Sequence, residues 1–189
     1  MEKKDLKPAG VFKYFEEICQ VPRPSKKEEK MIAYLKAFGA KHNLETKVDE
    51  AGNVLIKKPA TPGKENLQTV VLQSHIDMVC EKNNDVQHDF LTDPIETEID
   101  GEWLKAKGTT LGADNGIGVA TELAILADDS IEHGPLECLF TVDEETGLTG
   151  AFALQEGFMS GDTLLNLDSE DEGEIFIGCA GGIDTVIRL

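Results

Sequence analysis

Three consecutive carboxylates, Asp143-Glu144-Glu145, stand directly after the apolar run Leu136-Glu137-Cys138-Leu139-Phe140-Thr141-Val142. A run of that length with β-branched residues reads as a buried strand. Three like charges at its end repel one another unless something positive gathers them, and a cation is the simplest candidate. Three other segments repeat the theme. Ser74-His75-Ile76-Asp77 follows a second apolar run, Gly112-Ala113-Asp114-Asn115-Gly116 opens a helical pattern, and Leu164-Leu165-Asn166-Leu167-Asp168 ends a further apolar stretch. One histidine and several acids, each near an element end, point to a catalytic metal site in an α/β framework.

The 189 residues suffice for one full domain with a sizeable core. The balance is strongly acidic, with 18 basic against 36 acidic residues and a net charge of −18. Nucleic acids and anionic membrane surfaces call for basic patches, so neither is an expected partner. Most of the excess reads as a soluble acidic surface, and part of it can face bound cations. The N-terminus, Met1-Glu2-Lys3-Lys4-Asp5, leads into an amphipathic pattern, so no signal peptide is expected. No stretch approaches the ~20 apolar residues of a membrane span. Cys19, Cys80, Cys138 and Cys179 are widely spaced without a CxxC pair, which predicts reduced structural thiols and a cytoplasmic location.

Along the chain, Val11, Phe12, Phe15, Ile18 and Cys19 share one face of a first helix, which Pro22 and Pro24 stop. Ser25-Lys26-Lys27-Glu28 has the form of a capping box for a second helix, whose buried face carries Met31, Ile32, Leu35 and Phe38. Residues 45–49 and 53–57 read as two strands joined by a turn. Residues 60–67 read as a surface loop, and 69–74 as a central strand. Residues 81–100 read as a loop with one short hairpin, and residues from 115 to about 127 as a helix. The strand at 136–142 precedes a short helix near 149–155. Further strands are expected at 163–167, 174–177 and 185–189. Strands alternating with helices favour a three-layer α/β/α domain with a mixed, largely parallel sheet.

In an extended segment His75 and Asp77 share a face. His75 then binds a metal through one nitrogen while Asp77 accepts a hydrogen bond from the other, which orients the ring and raises its basicity. HxD alone is weak evidence, and a core-satisfied histidine is the commoner case. Gly112 and Gly116 let the backbone turn sharply around Asp114. On local sequence alone a helix N-cap is the commoner role for Asp114 or Asn115, and the two roles can coexist, Asn115 capping while Asp114 points into a cleft. Glu144 and Glu145 point different ways from a strand end, so one can bind metal while the other faces substrate and water. Asp168 sits at a strand boundary, whereas Ser169-Glu170-Asp171-Glu172 beyond it reads as a solvated loop. Strand carboxyl ends are where α/β sheets bind ligands. Imidazole and carboxylate donors suit zinc, manganese or cobalt, and the lack of a thiolate cluster argues against a structural zinc site.

Taken together the segments Ser74-His75-Ile76-Asp77-Met78-Val79, Gly108-Thr109-Thr110-Leu111-Gly112-Ala113-Asp114-Asn115-Gly116-Ile117-Gly118, Phe140-Thr141-Val142-Asp143-Glu144-Glu145-Thr146-Gly147 and Asn166-Leu167-Asp168-Ser169-Glu170, with Gly178-Cys179-Ala180-Gly181-Gly182, resemble the cytosolic aminoacyl-histidine dipeptidases. These are carnosinase-like members of the co-catalytic zinc peptidases. The resemblance covers nearly the whole chain and implies a zinc-exopeptidase-like fold, incomplete at its C-terminus. It implies that His75 and Asp168 hold one metal, Glu145 the other, and Asp114 bridges them. Asp77 would support His75, and Glu144 would act as general base. Two divalent ions are implied, zinc first, with manganese or cobalt as alternatives. The implied substrates are short peptides, notably Xaa-His dipeptides.

The family pattern also contains a later histidine ligand for the second metal and an inserted lid domain that carries the homodimer contact. Neither is found here: His42, His88 and His133 read as solvated surface residues. Residues 1–181 are accordingly expected to be the N-terminal part of the catalytic domain, and 182–189 the start of a lid that is otherwise absent. Other readings remain: the same fold acting on other di- or tripeptides or acylated amino acids, a catalytically incomplete metal-binding module, and a hydrolase with Ser74 as nucleophile. The last lacks a Gly-x-Ser-x-Gly elbow.

Overall fold

A computed structural model describes residues 2–169, 171, 173–179, 181, 185 and 187. Helix α1 (Ala9–Cys19) buries Tyr14, Phe15, Ile18 and Cys19, and α2 (Glu29–Lys41) buries Met31, Leu35 and Phe38. These are the helical-period positions expected from the sequence. Strands β1 (Glu45–Val48) and β2 (Val54–Lys58) form a hairpin whose turn is closed by Asp49, which accepts the N–H groups of Gly52 and Asn53.

β3 (Val70–His75), β6 (Leu136–Thr141) and β7 (Thr163–Asn166) complete a five-stranded sheet in the order β1-β2-β6-β3-β7. β3 runs parallel to both β6 and β7, while β2 is antiparallel to β6 and to β1. The register sets His75 beside Thr141 and Gln73 beside Asn166. The carboxyl ends of β3, β6 and β7 therefore meet at one edge of the sheet, which is what concentrates acidic loops there. A separate hairpin, β4 (Thr97–Asp100) and β5 (Trp103–Ala106), precedes helix α3 (Ala113–Ala127), and α4 (Thr149–Ala153) follows β6.

Alternation along the strands divides the core. Val54, Ile56, Leu72, Cys138 and Phe140 face α1, α2 and α3 in the main cluster. Leu55, Val71 and Leu139 point the other way and are covered by Leu154, Phe158 and Met159. The fold is thus a layered α/β arrangement on a mixed sheet, with α1, α2 and α3 on one face and the segment 154–159 after α4 on the other. α3 lies so close to β3 that a Cβ on Gly118 would stand 3.1 Å from the Cβ of Ser74.

Several local expectations are corrected. Ser25 and Glu28 do not form a capping box. α2 begins at Glu29 without a side-chain cap, and both side chains bond elsewhere. The hairpin expected within 81–100 lies at Thr97–Ala106. Residues 174–177 form no strand, and Ile175 and Ile177 are exposed. The strand expected at 185–189 and the lid start at 182–189 fall mostly outside the described residues. His42, His88 and His133 are half-buried, not solvated: His42 stacks on Phe38, His88 packs against Phe90, and His133 bonds the Gly134 carbonyl. No helix among the described residues is long and apolar enough to cross a membrane.

Candidate metal centre

The end of β3 carries His75, whose side chain is 1% exposed. Its Nδ1 lies 3.2 Å from Asp77 Oδ1, and its Nε2 lies 2.9 Å from Asp114 Oδ1. Asp168 Oδ2 and Glu144 Oε2 stand 3.8 Å and 4.0 Å from the same Nε2. The imidazole is therefore backed by one buried carboxylate and faces a group of others. Burial pulls its pKa down. The hydrogen bonds of Asp77 and Asp114 and the charges of Asp77 and Asp168 outweigh that and lift it to about 9.

Asp77 is fully buried and densely bonded. Besides His75, its carboxylate accepts the Ser25 hydroxyl at 2.7 Å and the backbone N–H groups of Glu144 at 3.0 Å and Glu145 at 3.3 Å. Burial raises its pKa, but these donors more than offset that and hold it at about 2.

Asp114 reaches the site because α3 starts irregularly. Gly112 precedes it at φ +68°, and Asp114 and Asn115 depart from helical angles across a cis peptide bond. Neither side chain caps the helix, so the N-cap alternative is set aside. Asn115 instead donates to the Leu167 carbonyl at 3.0 Å and to Asp168 Oδ1 at 2.6 Å, tying the start of α3 to the segment after β7.

The three acids after β6 divide their work. Asp143 sits at φ +50° and turns inward, where it accepts the hydroxyls of Thr146 and Thr149. Only Glu144 and Glu145 face His75, which corrects the expectation that all three gather around a cation. Burial raises the pKa of both glutamates; the charges of Asp168 and Glu145 add to it at Glu144, and that of Asp114 adds to it at Glu145.

Two donor sets converge on His75: one with Asp114 and Asp168, the other with Glu144 and Glu145, each with ligand atoms within 4.8 Å of one another. No lysine or arginine among the described residues pairs with any of these four acids. A single imidazole facing four carboxylates suits a divalent cation of hard or borderline character. A third acidic group, Glu28, Asp77 and Asp143, is of another kind. Its oxygens are taken by protein donors, including the Asp143 N–H on Glu28 at 3.0 Å, so it braces the loop.

Residues 71–183 match the family model for Peptidase family M20/M25/M40. The chain belongs to that peptidase family. Among its M20/M25/M40 relatives, the cytosol non-specific dipeptidase of Escherichia coli (strain K12) is 54% identical over 188 residues, covering 100% of this chain and 39% of the relative. The crystal structure of aminoacylhistidine dipeptidase from Vibrio alginolyticus superposes with a TM-score of 0.92 at 55% identity, over 95% of this chain and 36% of that one. Aminopeptidase PepT from Bacillus cereus ATCC 10987 gives a TM-score of 0.73 at 26% identity, over 86% and 43%. The M20/M25/M40 chain described here therefore spans less than half the length of each. The family resemblance drawn from its motifs is met by these comparisons.

Sequence reasoning missed the residues that support this M20/M25/M40 site. Ser25 and Glu28 were hidden by their capping-box spacing. Asn53, fully buried, donates to Asp49 and to the Gly150 carbonyl and accepts the Val142 N–H, pinning both ends of the 143–149 loop. The Gly-Asn pair at the β1–β2 turn gave no sign of that contact. Ser74, the alternative nucleophile, is 0% exposed and lies inside against Glu122, which removes the serine-hydrolase reading.

Proposed function

We propose that this chain supplies the metal centre and general base of a metal-dependent dipeptidase acting on short peptides, Xaa-His dipeptides among them. The observation that carries this reading is the placement of His75: Nδ1 on buried Asp77, and Nε2 toward Asp114, Asp168 and Glu144. The names of the two relatives above 50% identity support the substrate class.

In this reading His75 and Asp168 would hold one divalent ion, Glu145 would hold a second, and Asp114 would be shared between the two sites. Zinc is the first choice, with manganese or cobalt as alternatives. Two such ions, when bound, would supply Lewis acidity, polarising the scissile carbonyl and acidifying the attacking water. Glu144 accepts the proton of the attacking water and delivers it to the leaving amine. Asp77 keeps the His75 ring fixed so that Nε2 presents its lone pair. Among the described residues Glu145 has no histidine beside it other than His75, so the second ion would be short of a nitrogen ligand. We expect the chain by itself to be weakly active or inactive. A cytoplasmic location, and a homodimer in the longer relatives' architecture through a lid beginning near residue 182, complete the proposal.

The test is metal content of the purified chain beside Asp114→Ala. Near two equivalents of zinc or manganese, lost in the variant, is the expected result. Full occupancy retained in Asp114→Ala would remove the bridging role. Xaa-His hydrolysis by the metal-loaded chain that survives Glu144→Gln would remove the general base.

A further inference from the structure

Arg23 lies in the connection between α1 and α2, 52 residues before His75 in sequence, and is 2% exposed. It makes no ion pair with a carboxylate among the described residues. Its guanidinium instead donates to three backbone carbonyls: Nη1 to Ile76 O at 3.2 Å and Asp77 O at 3.1 Å, and Nη2 to Gly112 O at 2.6 Å. The first two belong to the segment that leaves β3 after His75. The third closes the turn that delivers Asp114.

The surroundings are shaped around this fork. Gly112 sits at φ +68°, and a Cβ there would stand 2.6 Å from Arg23 Nη2 and 2.7 Å from Met78 Sδ. A Cβ on Gly116 would stand 2.7 Å from the same Nη2. The Arg23 backbone also takes part, its carbonyl accepting the Met78 N–H at 3.2 Å. A planar guanidinium holds its donors in a fixed fork that sets the geometry between two chain segments, whereas a lysine ammonium is a compact point charge on a flexible stem whose rotatable donors impose no such fork. A buried positive charge also sits behind a site whose front is lined by carboxylates.

We propose that Arg23 is a positioning residue for the metal centre, its guanidinium fixing the spacing between His75 and Asp114 by tying the end of β3 to the Gly112 turn. The inference rests on the metal-centre reading above for its purpose, but its geometric content stands apart from it. The tie preorganises the imidazole and the shared carboxylate, which otherwise belong to β3 and α3, separated in the chain by the β4–β5 hairpin and its flanking loops.

The experiment uses the full chain with Arg23→Gln and Arg23→Lys, and Lys58→Met as control. Lys58 is a second buried cation on backbone carbonyls, donating to Ile125 O at 3.0 Å and Asp128 O at 2.8 Å at the far end of α3. Zinc affinity is measured by competition with a chromophoric chelator, thermal stability by melting, and the metal-free site by crystallography. Both Arg23 variants are expected to weaken zinc binding about tenfold to a hundredfold. In the metal-free crystals, His75 Nε2 and Asp114 Oδ1 should part by more than about 0.5 Å from their 2.9 Å separation. Lys58→Met should lower the melting temperature while leaving zinc affinity unchanged. Arg23 variants that bind zinc like the parent, or lose affinity only as Lys58→Met does, overturn the proposal. So does an unchanged separation in the Arg23 crystals, whatever the zinc result. A parent chain that binds no zinc overturns the metal-centre reading instead, and the crystals still decide the role of Arg23. If Arg23→Gln does not fold, Arg23→Lys, which keeps the charge but not the fork, carries the same test.

Discussion

The backbone N–H of Glu144 donates at 3.0 Å to Asp77 Oδ1, the same oxygen that lies 3.2 Å from His75 Nδ1. One carboxylate oxygen thus orients the imidazole and fixes the loop that carries the general base. Asp77→Ala is expected to weaken metal binding about tenfold to a hundredfold, because the ring and the loop lose their common anchor. Its carboxyl is held at about 2, below its ordinary 3.8. A depressed carboxylate contributes stability above its unfolded pKa and loses it as pH falls through the folded value. The parent should therefore lose about 2 kcal/mol between pH 4 and pH 2 that Asp77→Asn does not lose. Urea unfolding at several pH values checks this. An identical acid profile in the two proteins would contradict it.

His75 in the metal-free chain holds its proton up to about pH 9. A metal must displace that proton, so apparent zinc affinity should rise about tenfold per pH unit from pH 7 and level off above 9. Calorimetry in buffers of different ionisation heat would show about one proton released per chain near pH 7, from His75. The metal-free chain should change in the opposite sense. The stability that protonated His75 contributes is complete below pH 6.5 and is lost as pH rises through 9. Affinity that is flat from pH 7 to 9 would contradict the arrangement.

What was legible in the sequence follows from contact range. His75, Glu144, Glu145 and Asp168 each stand at the end of a strand that its own apolar run announces, and parallel pairing of β3 with β6 and β7 does the rest. The roles of Ser25 and Glu28 were not legible. The residues have local capping spacing, but their bonds go to Asp77, 52 residues away, and to Asp143, 115 residues away. Asp143 looked like its two neighbours until a positive φ turned it inward. Asn115 looked like a cap, yet its amide reaches Asp168. Residues 174–177 have the β-branched and aromatic character of a strand in Ile175, Phe176 and Ile177 but find no partner among the described residues, since β propensity states a capacity for pairing and not a partner.

Glu137 on β6 accepts Lys57 Nζ at 2.6 Å, the Ser160 N–H and hydroxyl at 2.7 Å each, and the Gly161 N–H at 3.2 Å. It anchors the approach to β7, and β7 in turn leads to Asp168. Burial raises its pKa, but Lys57 and Ser160 overcome that and hold it at about 2. Glu137→Gln should destabilise the chain by about 3 kcal/mol at pH 7. The gap should narrow as pH falls from 4.5 toward 2, where the parent's own advantage is lost. Chemical denaturation at pH 7 and pH 3 tests both parts, and a gap that is equal at the two pH values would count against the ion pair.

Glu122 lies inside α3 with 0% exposure, against Ser74 and Cys138. Burial pushes its pKa well above 4.5; Ser74 and Cys138 lie too far off for a well-formed hydrogen bond to either carboxylate oxygen and do not offset that. The folded chain keeps a proton that the unfolded chain releases above about pH 4.5. Stability therefore falls as pH rises through that range, by at most about 1.4 kcal/mol per pH unit. Glu122→Gln has no such proton to keep. It should match the parent near pH 4.5 and become progressively more stable than it toward pH 8, with metal content unchanged because Glu122 touches no proposed ligand. Melting curves of the two proteins from pH 4.5 to 8 decide the matter: parallel curves would mean that Glu122 is ionised in the fold, stabilised by partners stronger than Ser74 and Cys138.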